Sequence, residues 1–192
     1  MLFPTRFFAP LLLLLTAACS SGESNKDPIF SAKFQNEKRI DEEAVTKRQL
    51  RDAEFLVDAA SRKMQLLEIS QIAQRKAASP DTRFVAQNLA ATTAPLLREL
   101  QALAQQKKLV LPTGLGEEQG KQVGELTALN GAAFDQKFVD LLGSISNEDA
   151  EAYDDMGEEA YDGDIRALAA RQLPILKDQH TAGETLQDKL KP

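Results

Sequence analysis

Along most of the chain, apolar residues recur at helical spacing. Leu50, Ala53, Val57, Ala60, Met64 and Leu67 step by three and four, and Phe55, Ala59, Leu66, Ile69 and Ala73 lay a second stripe beside them. Two adjacent stripes make a wide apolar face, as on a helix that meets two neighbours. This predicts a first helix over 42–78. Ser79-Pro80-Asp81 then supplies a capping serine, a proline at the first helical position and an acid in the first turn. A second helix follows to about Lys107, with Val85, Leu89, Leu96, Leu100 and Leu103 on its face and Pro95 in its middle. Leu109 to Gly116 reads as a loop, and a short helix spans Glu117 to about Leu129, ended by Asn130-Gly131. The third long helix starts near Ala132 and turns Phe134, Phe138, Leu141, Ile145, Ala152 and Met156 to one side. Asp162-Gly163-Asp164 ends it and caps a fourth, which carries Ile165, Leu168, Ile175, Ala182 and Leu186, with Pro174 inside. No useful run alternates with the period of a strand. The fold class predicted is all-α: an antiparallel four-helix bundle with a short extra helix between helices two and three.

The first residues have a different pattern. Arg6 supplies a positive start, Leu11 to Leu15 an apolar centre, and Ala17 and Ala18 a small-residue end, so residues 1–18 read as a secretory signal peptide. The apolar stretch from Phe7 to Ala18 contains Pro10 and falls short of the roughly 20 residues that span a bilayer. Leu15-Thr16-Ala17-Ala18-Cys19 resembles a bacterial lipobox, with threonine where leucine is commoner. Cys19, the sole cysteine, is therefore expected to carry a covalent lipid of the palmitate type. In Gram-negative bacteria, Ser20 after it, rather than aspartate, implies transfer to the outer membrane, where the protein is expected to face the periplasm. The predicted organisation is a signal peptide over 1–18, a lipidated cysteine and flexible tether over 19–41, and the bundle over 42–192. Ile29, Phe30 and Phe34 interrupt the otherwise polar tether.

Composition narrows the chemistry. A net charge of −6 argues against a nucleic-acid binder working through a basic face. One cysteine excludes an internal disulfide and a multi-cysteine zinc site. Di-iron chemistry in a helical bundle needs two Glu-x-x-His pairs, and the chain has one histidine, His180, preceded three places back by Lys177. A lone histidine with no positioned partner in sequence reads as an exposed or interhelical polar residue rather than a base. Gly114, Gly116 and Gly120 lack the spacing and the βαβ setting of a phosphate loop. Gly143-Ser144-Ile145-Ser146-Asn147 lacks the second glycine of a nucleophile elbow. No catalytic residue, metal ligand or cofactor other than the lipid on Cys19 is assigned. From Glu148 to Asp164 acids crowd the chain, without the order of an EF-hand. Such a run is ordinarily a solvated helix face. If it has a role, the simplest is docking a cationic partner through Glu148, Asp149, Glu151, Asp154, Asp155, Glu158, Glu159 and Asp162.

Certain phrases carry a family resemblance. Phe55 to Ala60 with Leu66, Ile69 and Ala73, then Phe84-Val85-Ala86-Gln87, look like the first helix pair of a known family. Phe134-Asp135 with Phe138, then Leu173-Pro174-Ile175-Leu176, look like the second. Over about residues 50–190 the chain resembles the exported bacterial proteins of the domain-of-unknown-function 4142 family, often labelled predicted outer membrane proteins. The resemblance implies a ferritin-like four-helix bundle and no established activity. It also implies a polar centre: a glutamate in helix one, an Asp-His pair in helix two, a histidine in helix three and another after the Leu-Pro phrase. Here those positions fall on Leu66, Thr92-Thr93, Ser146 and Gln179, with His180 one place from the last. A centre of that kind is therefore expected to be lost in this chain.

The function expected is a non-enzymatic, periplasm-facing envelope lipoprotein, held to the membrane by its lipid and acting as a protein-interaction or envelope-maintenance module. Its expected partners are the membrane and an envelope protein, with no nucleic acid. The alternatives are a ferritin-like metal-binding protein or enzyme, and a periplasmic holdase that binds unfolded chains.

Overall fold

The computed structural model describes residues 27–42 and 47–191. The expected signal peptide, Cys19 and the tether up to residue 26 lie outside the described residues. Within them the chain is all helical, with no strand: α1 (Pro28–Glu42), α2 (Lys47–Lys76), α3 (Pro80–Gln106), α4 (Glu117–Ala128), α5 (Gly131–Glu159) and α6 (Gly163–Leu190). None of these helices is long and apolar enough to cross a membrane.

Two tight turns set the architecture. Three residues join α2 to α3, and three join α5 to α6, so each pair folds back as a hairpin. The starts of α3 and α6 are built by the caps expected. Ser79 Oγ accepts from the Asp81 and Thr82 N–H groups, and Asp162 Oδ1 from those of Asp164 and Ile165. α2 packs on α3 and α5, and α6 on α5 and α3, which closes a ring of four long helices. α4 crosses the outside of the α2–α5 seam, burying Val123 and Leu126, while α1 lies along α2. Both α3 and α6 continue unbroken through their internal prolines, Pro95 and Pro174.

The two hairpins are copies of one plan. A shift of 83 positions carries Asp52 to Asp135, Phe55 to Phe138, Ser79 to Asp162, Ala86 to Ala169 and Leu103 to Leu186, and all but the two caps are buried. The relation is reciprocal in space. Asp52, in α2, accepts from the N–H groups of Tyr161 and Asp162 at 3.1 and 2.7 Å, and so holds the turn of the second hairpin. Asp135, in α5, accepts from those of Ala78 and Ser79 at 3.1 and 2.8 Å and holds the turn of the first. Asp81 and its counterpart Asp164 are also paired across the hairpins, with Lys189 and Lys107, two lysines that fall one place off the same shift. The core divides in the same way. One apolar cluster gathers Phe55, Leu56, Leu100, Met156 and Ile165. The other gathers Phe138, Val139, Leu142, Ala73 and Leu126.

Residues 28–41 depart from expectation. Read as tether, they form α1, because Asp27 and Pro28 make a helix start. The Asp27 carboxylate accepts from the Ile29 and Phe30 N–H groups, and Pro28 needs no partner for its nitrogen at the first helical position. The same carboxylate accepts from the Glu117 N–H, so one side chain caps α1 and α4 together. These backbone bonds, the one from Glu117 foremost, lower its pKa. A Cβ on Gly116 would come within 2.7 Å of Ile29 Cδ1 and 2.9 Å of Asp27 Oδ2, so a side chain there would have to push aside the Ile29 tip or the capping carboxylate. Ala32, Asn36 and Ile40 form the buried face of α1. Asn36 gives and takes hydrogen bonds with the Val110 backbone at 2.8 and 2.7 Å, which fixes the 109–116 loop.

Candidate functional site

Of the positions that the family resemblance singles out, Thr92 and Thr93 meet Gln179, and Leu66 joins the apolar cluster of Phe138. Leu66, Thr93, Ser146 and Gln179 are all buried, on four different long helices. What they form is a neutral layer. Gln179 Nε2 donates to Thr92 Oγ1 at 2.9 Å and to Thr93 Oγ1 at 3.1 Å, tying α6 to α3. One place along, His180 Nδ1 lies 3.2 Å from Ser146 Oγ, tying α6 to α5, and its Nε2 is 3.6 Å from Glu184. His180 is thus the interhelical polar residue expected from sequence. Among the described residues, no group of three or more His, Cys, Asp or Glu side chains is disposed to hold a metal ion.

Beside this layer lies a buried charge cluster that the sequence reading missed. Asp149 accepts from Arg62 Nε at 2.6 Å and from Lys63 Nζ at 3.0 Å. Lys63 and Asp149 are each 1% exposed, and the lysine stands 4.4 Å from the centre of the Tyr153 ring, which packs edge-on against Phe55. Burial pulls the Lys63 pKa down, although Asp149 opposes the shift. Burial first, and then Asp149, push the Tyr153 phenol well above its ordinary value, and its hydroxyl makes no hydrogen bond within the protein. A period-matched reading would have flagged Lys63 and Asp149: each falls on the inward stripe of its helix.

The acidic run is only in part the solvated face expected. Asp149 is enclosed by that cluster and cannot dock a partner. Asp162 is committed to capping α6 and to Lys107. Burial opposes its charged form, but hydrogen bonds from Lys107 and the backbone outweigh that and lower its pKa. Asp155 and Glu159 pair with Arg51, and Asp154 with Lys177, all exposed. Glu148 and Glu151 accept from Ser144 and Asn147 one turn back, and Glu158 is exposed.

The principal concavity lies elsewhere, between the first half of α3 and the last half of α6. It measures about 500 Å³ and is lined mainly by apolar groups, including Phe84, Val85, Leu89, Ile175, Ala182 and Leu186. The Gln179–Thr92 bond lies on its wall and the Asp81–Lys189 ion pair at one end. Phe84 is 64% exposed and Ile175 37%. At the other end of the same seam, Arg171 reaches Glu99 and Gln172 bonds both Glu99 and the Leu96 carbonyl, and there the helices close. These bonds, that from Gln172 first, lower the Glu99 pKa.

Fold and site together define an all-helical protein with a hydrogen-bonded neutral centre and an open lateral groove. The chain belongs to the family described as Domain of unknown function (DUF4142), whose model matches residues 38–186. No curated protein matches it. Among solved structures it is similar to "CopM in the Cu(II)-bound form", with a TM-score of 0.61 at 14% identity over 73% of this chain and 97% of that one. At that identity the likeness concerns the fold.

Proposed function

We propose that this protein is a non-enzymatic envelope lipoprotein, anchored through Cys19 and facing the periplasm from the outer membrane. In this reading its ring of helices is an antiparallel four-helix bundle of ferritin-like type. It acts by holding an apolar-faced helix of a partner protein in the α3–α6 groove. The observation that carries the reading is the contrast between the two seams that join the hairpins. The α2–α5 seam is covered by α4, a 12-residue amphipathic helix that buries Val123 and Leu126 and bonds through Gln119 and Gln122. The α3–α6 seam has the same kind of apolar floor and no covering helix among the described residues. An amphipathic helix laid in a groove anchors through side chains one turn apart, as α4 does.

The test places a photo-crosslinking residue at Phe84, and separately at Glu151 on the acidic face, in the full chain in its native envelope. One discrete adduct from position 84, lost when Ala182→Phe fills the groove at unchanged melting temperature, supports the groove. An adduct from position 151 alone returns the role to the acidic run. A smear of many proteins supports the holdase. A second reading, copper binding, draws on the likeness to CopM. It requires Cu(II) to bind the purified chain and the binding to be lost on His180→Ala; calorimetry decides it.

A further inference from the structure

We infer that α1 carries a second, weaker membrane contact: Phe30 and Phe34 enter the lipid interface beside the Cys19 anchor. The inference rests on the lipoprotein reading above. The two rings stack at 6.2 Å, nearly parallel, and are 60% and 56% exposed. They are not spare core residues, because α1 already docks through its opposite face, by Ala32, Asn36 and Ile40. A helix whose inner face is satisfied and whose outer face holds two neighbouring aromatics is amphipathic twice over.

Position and size select the occupant. Asp27, which starts α1, is eight residues from Cys19, so at full extension the anchor lies within about 29 Å of the first turn. Lipidation at Cys19 therefore confines this ridge near the bilayer, at raised effective concentration. A phenylalanine buries roughly 150–250 Å² when covered, so two rings little more than half exposed offer about 200 Å². A stable protein interface needs about 1,200 Å² or more, which the ridge cannot supply alone. A lipid surface needs no such area when a covalent anchor already holds the protein there, so a contact of this size adds to the anchor without having to replace it. Lys33 is engaged with Asp58 at 2.7 Å, and exposed Lys38, one turn on from Phe34, stands next to exposed Glu37, so the ridge acts through its rings rather than through a basic patch.

The chain has no tryptophan, which makes the test direct. Full-chain Phe34→Trp is reconstituted in vesicles of phosphatidylethanolamine and phosphatidylglycerol, with and without brominated acyl chains. Phe84→Trp, in the groove, is the reference. The expected result is a blue-shifted emission that is quenched by brominated lipid at position 34 and a water-exposed, unquenched emission at position 84. Unquenched emission at position 34 overturns the inference. So does quenching at position 84 instead, or a blue shift without lipid that grows with protein concentration, the sign of a second copy on the ridge. Mass spectrometry of the N-terminal peptide from the same sample tests the anchor separately. A lipidated peptide with an unquenched Trp leaves the lipoprotein reading standing and removes this one; a quenched Trp on an unlipidated peptide does the reverse.

Discussion

The α2–α3 and α5–α6 hairpins share a frame and differ at the centre. Where the frame needs a turn held, both use aspartate, Asp52 and Asp135, each reaching into the other hairpin. Where the halves meet, equivalent positions have diverged. Leu66 in α2 corresponds to Asp149 in α5, and Ser146 in α5 to Lys63 in α2. One half of the middle layer is thus a buried ion pair and the other is neutral. Turn-holding carboxylates satisfy partly buried backbone donors at the end of each hairpin, a requirement any helical hairpin of this shape shares. The centre has no such requirement, and its residues are free to drift or to specialise.

The sharpest way to break this comparison is Asp149→Ala. It leaves Lys63 enclosed with no opposite charge, and removing one partner of a buried pair costs about 3–5 kcal/mol. Thermal and urea unfolding should report that loss. The variant Lys63→Ser with Asp149→Leu copies the residues of the other half. It should recover part of the stability, because the enclosed lysine leaves together with its partner, while Arg62, mostly buried, still loses the Asp149 carboxylate. If the double variant is as unstable as the single one, the centre of this half is a structural requirement and not a divergence.

The frame gives the next effect. Asp52→Ala and Asp135→Ala each strip a charged acceptor from two backbone N–H groups, for about 1–3 kcal/mol apiece. The two sites lie at opposite ends of the hairpins and share no partner, so the double variant should equal the sum within about 0.5 kcal/mol. A large coupling term in urea unfolding would mean that the hairpins do not lock each other independently.

Much of this frame was legible in the sequence. The long helices follow from the apolar stripes, and the starts of α3 and α6 from Ser79-Pro80-Asp81 and Asp162-Gly163-Asp164. The phrase Phe134-Asp135 has its reason in the Ala78 and Ser79 N–H groups it holds. The copying of one hairpin by the other was present at a constant spacing but thinly marked, since a buried position constrains apolar character more than identity: Leu56 matches Val139, and Ala73 matches Met156. α1 was missed because its buried face is only Ala32, Asn36 and Ile40, while its conspicuous residues, Phe30 and Phe34, point outward. The groove was illegible for a different reason. Periodicity places Val85, Leu89, Ala182 and Leu186 on inward faces and cannot report how far apart two helices stand.

The caps separate the halves by pH. Ser79 does not titrate, whereas its counterpart Asp162 has a pKa below the ordinary 3.8. A carboxylate lowered on folding contributes stability that is complete above its unfolded value and lost as the pH falls through the folded one. Lys107, raised above 10.5 against the effect of its burial by hydrogen bonds to Asp162 and Asp164, loses its share only as the pH rises through that raised value. Because the Asp162 side chain is partly exposed, the effect should be at most about 1 kcal/mol. Melting temperature followed from about pH 5 to 2 should fall less steeply in Asp162→Ser than in the parent. An unchanged slope would assign the acid loss to other carboxylates, Asp27 and Glu99 first.

The smallest expected effect comes from copying in the opposite direction, with Gln179→Leu, since Leu96 holds the equivalent place. The change removes an amide that spans α6 to Thr92 and Thr93. It does not strand the Thr92 hydroxyl, which already donates to the Asn88 carbonyl at 2.9 Å, but it takes from the buried Thr93 hydroxyl its amide partner, while leucine adds apolar surface beside Leu186. A lost neutral hydrogen bond of this kind costs about 1 kcal/mol, and the added burial offsets part of it. Urea unfolding should therefore move its midpoint only slightly, at unchanged slope. A loss approaching that of Asp149→Ala would mean that Gln179, the two threonines, Ser146 and His180 act as one coupled network. The neutral half of the centre would then be as specialised as the charged half.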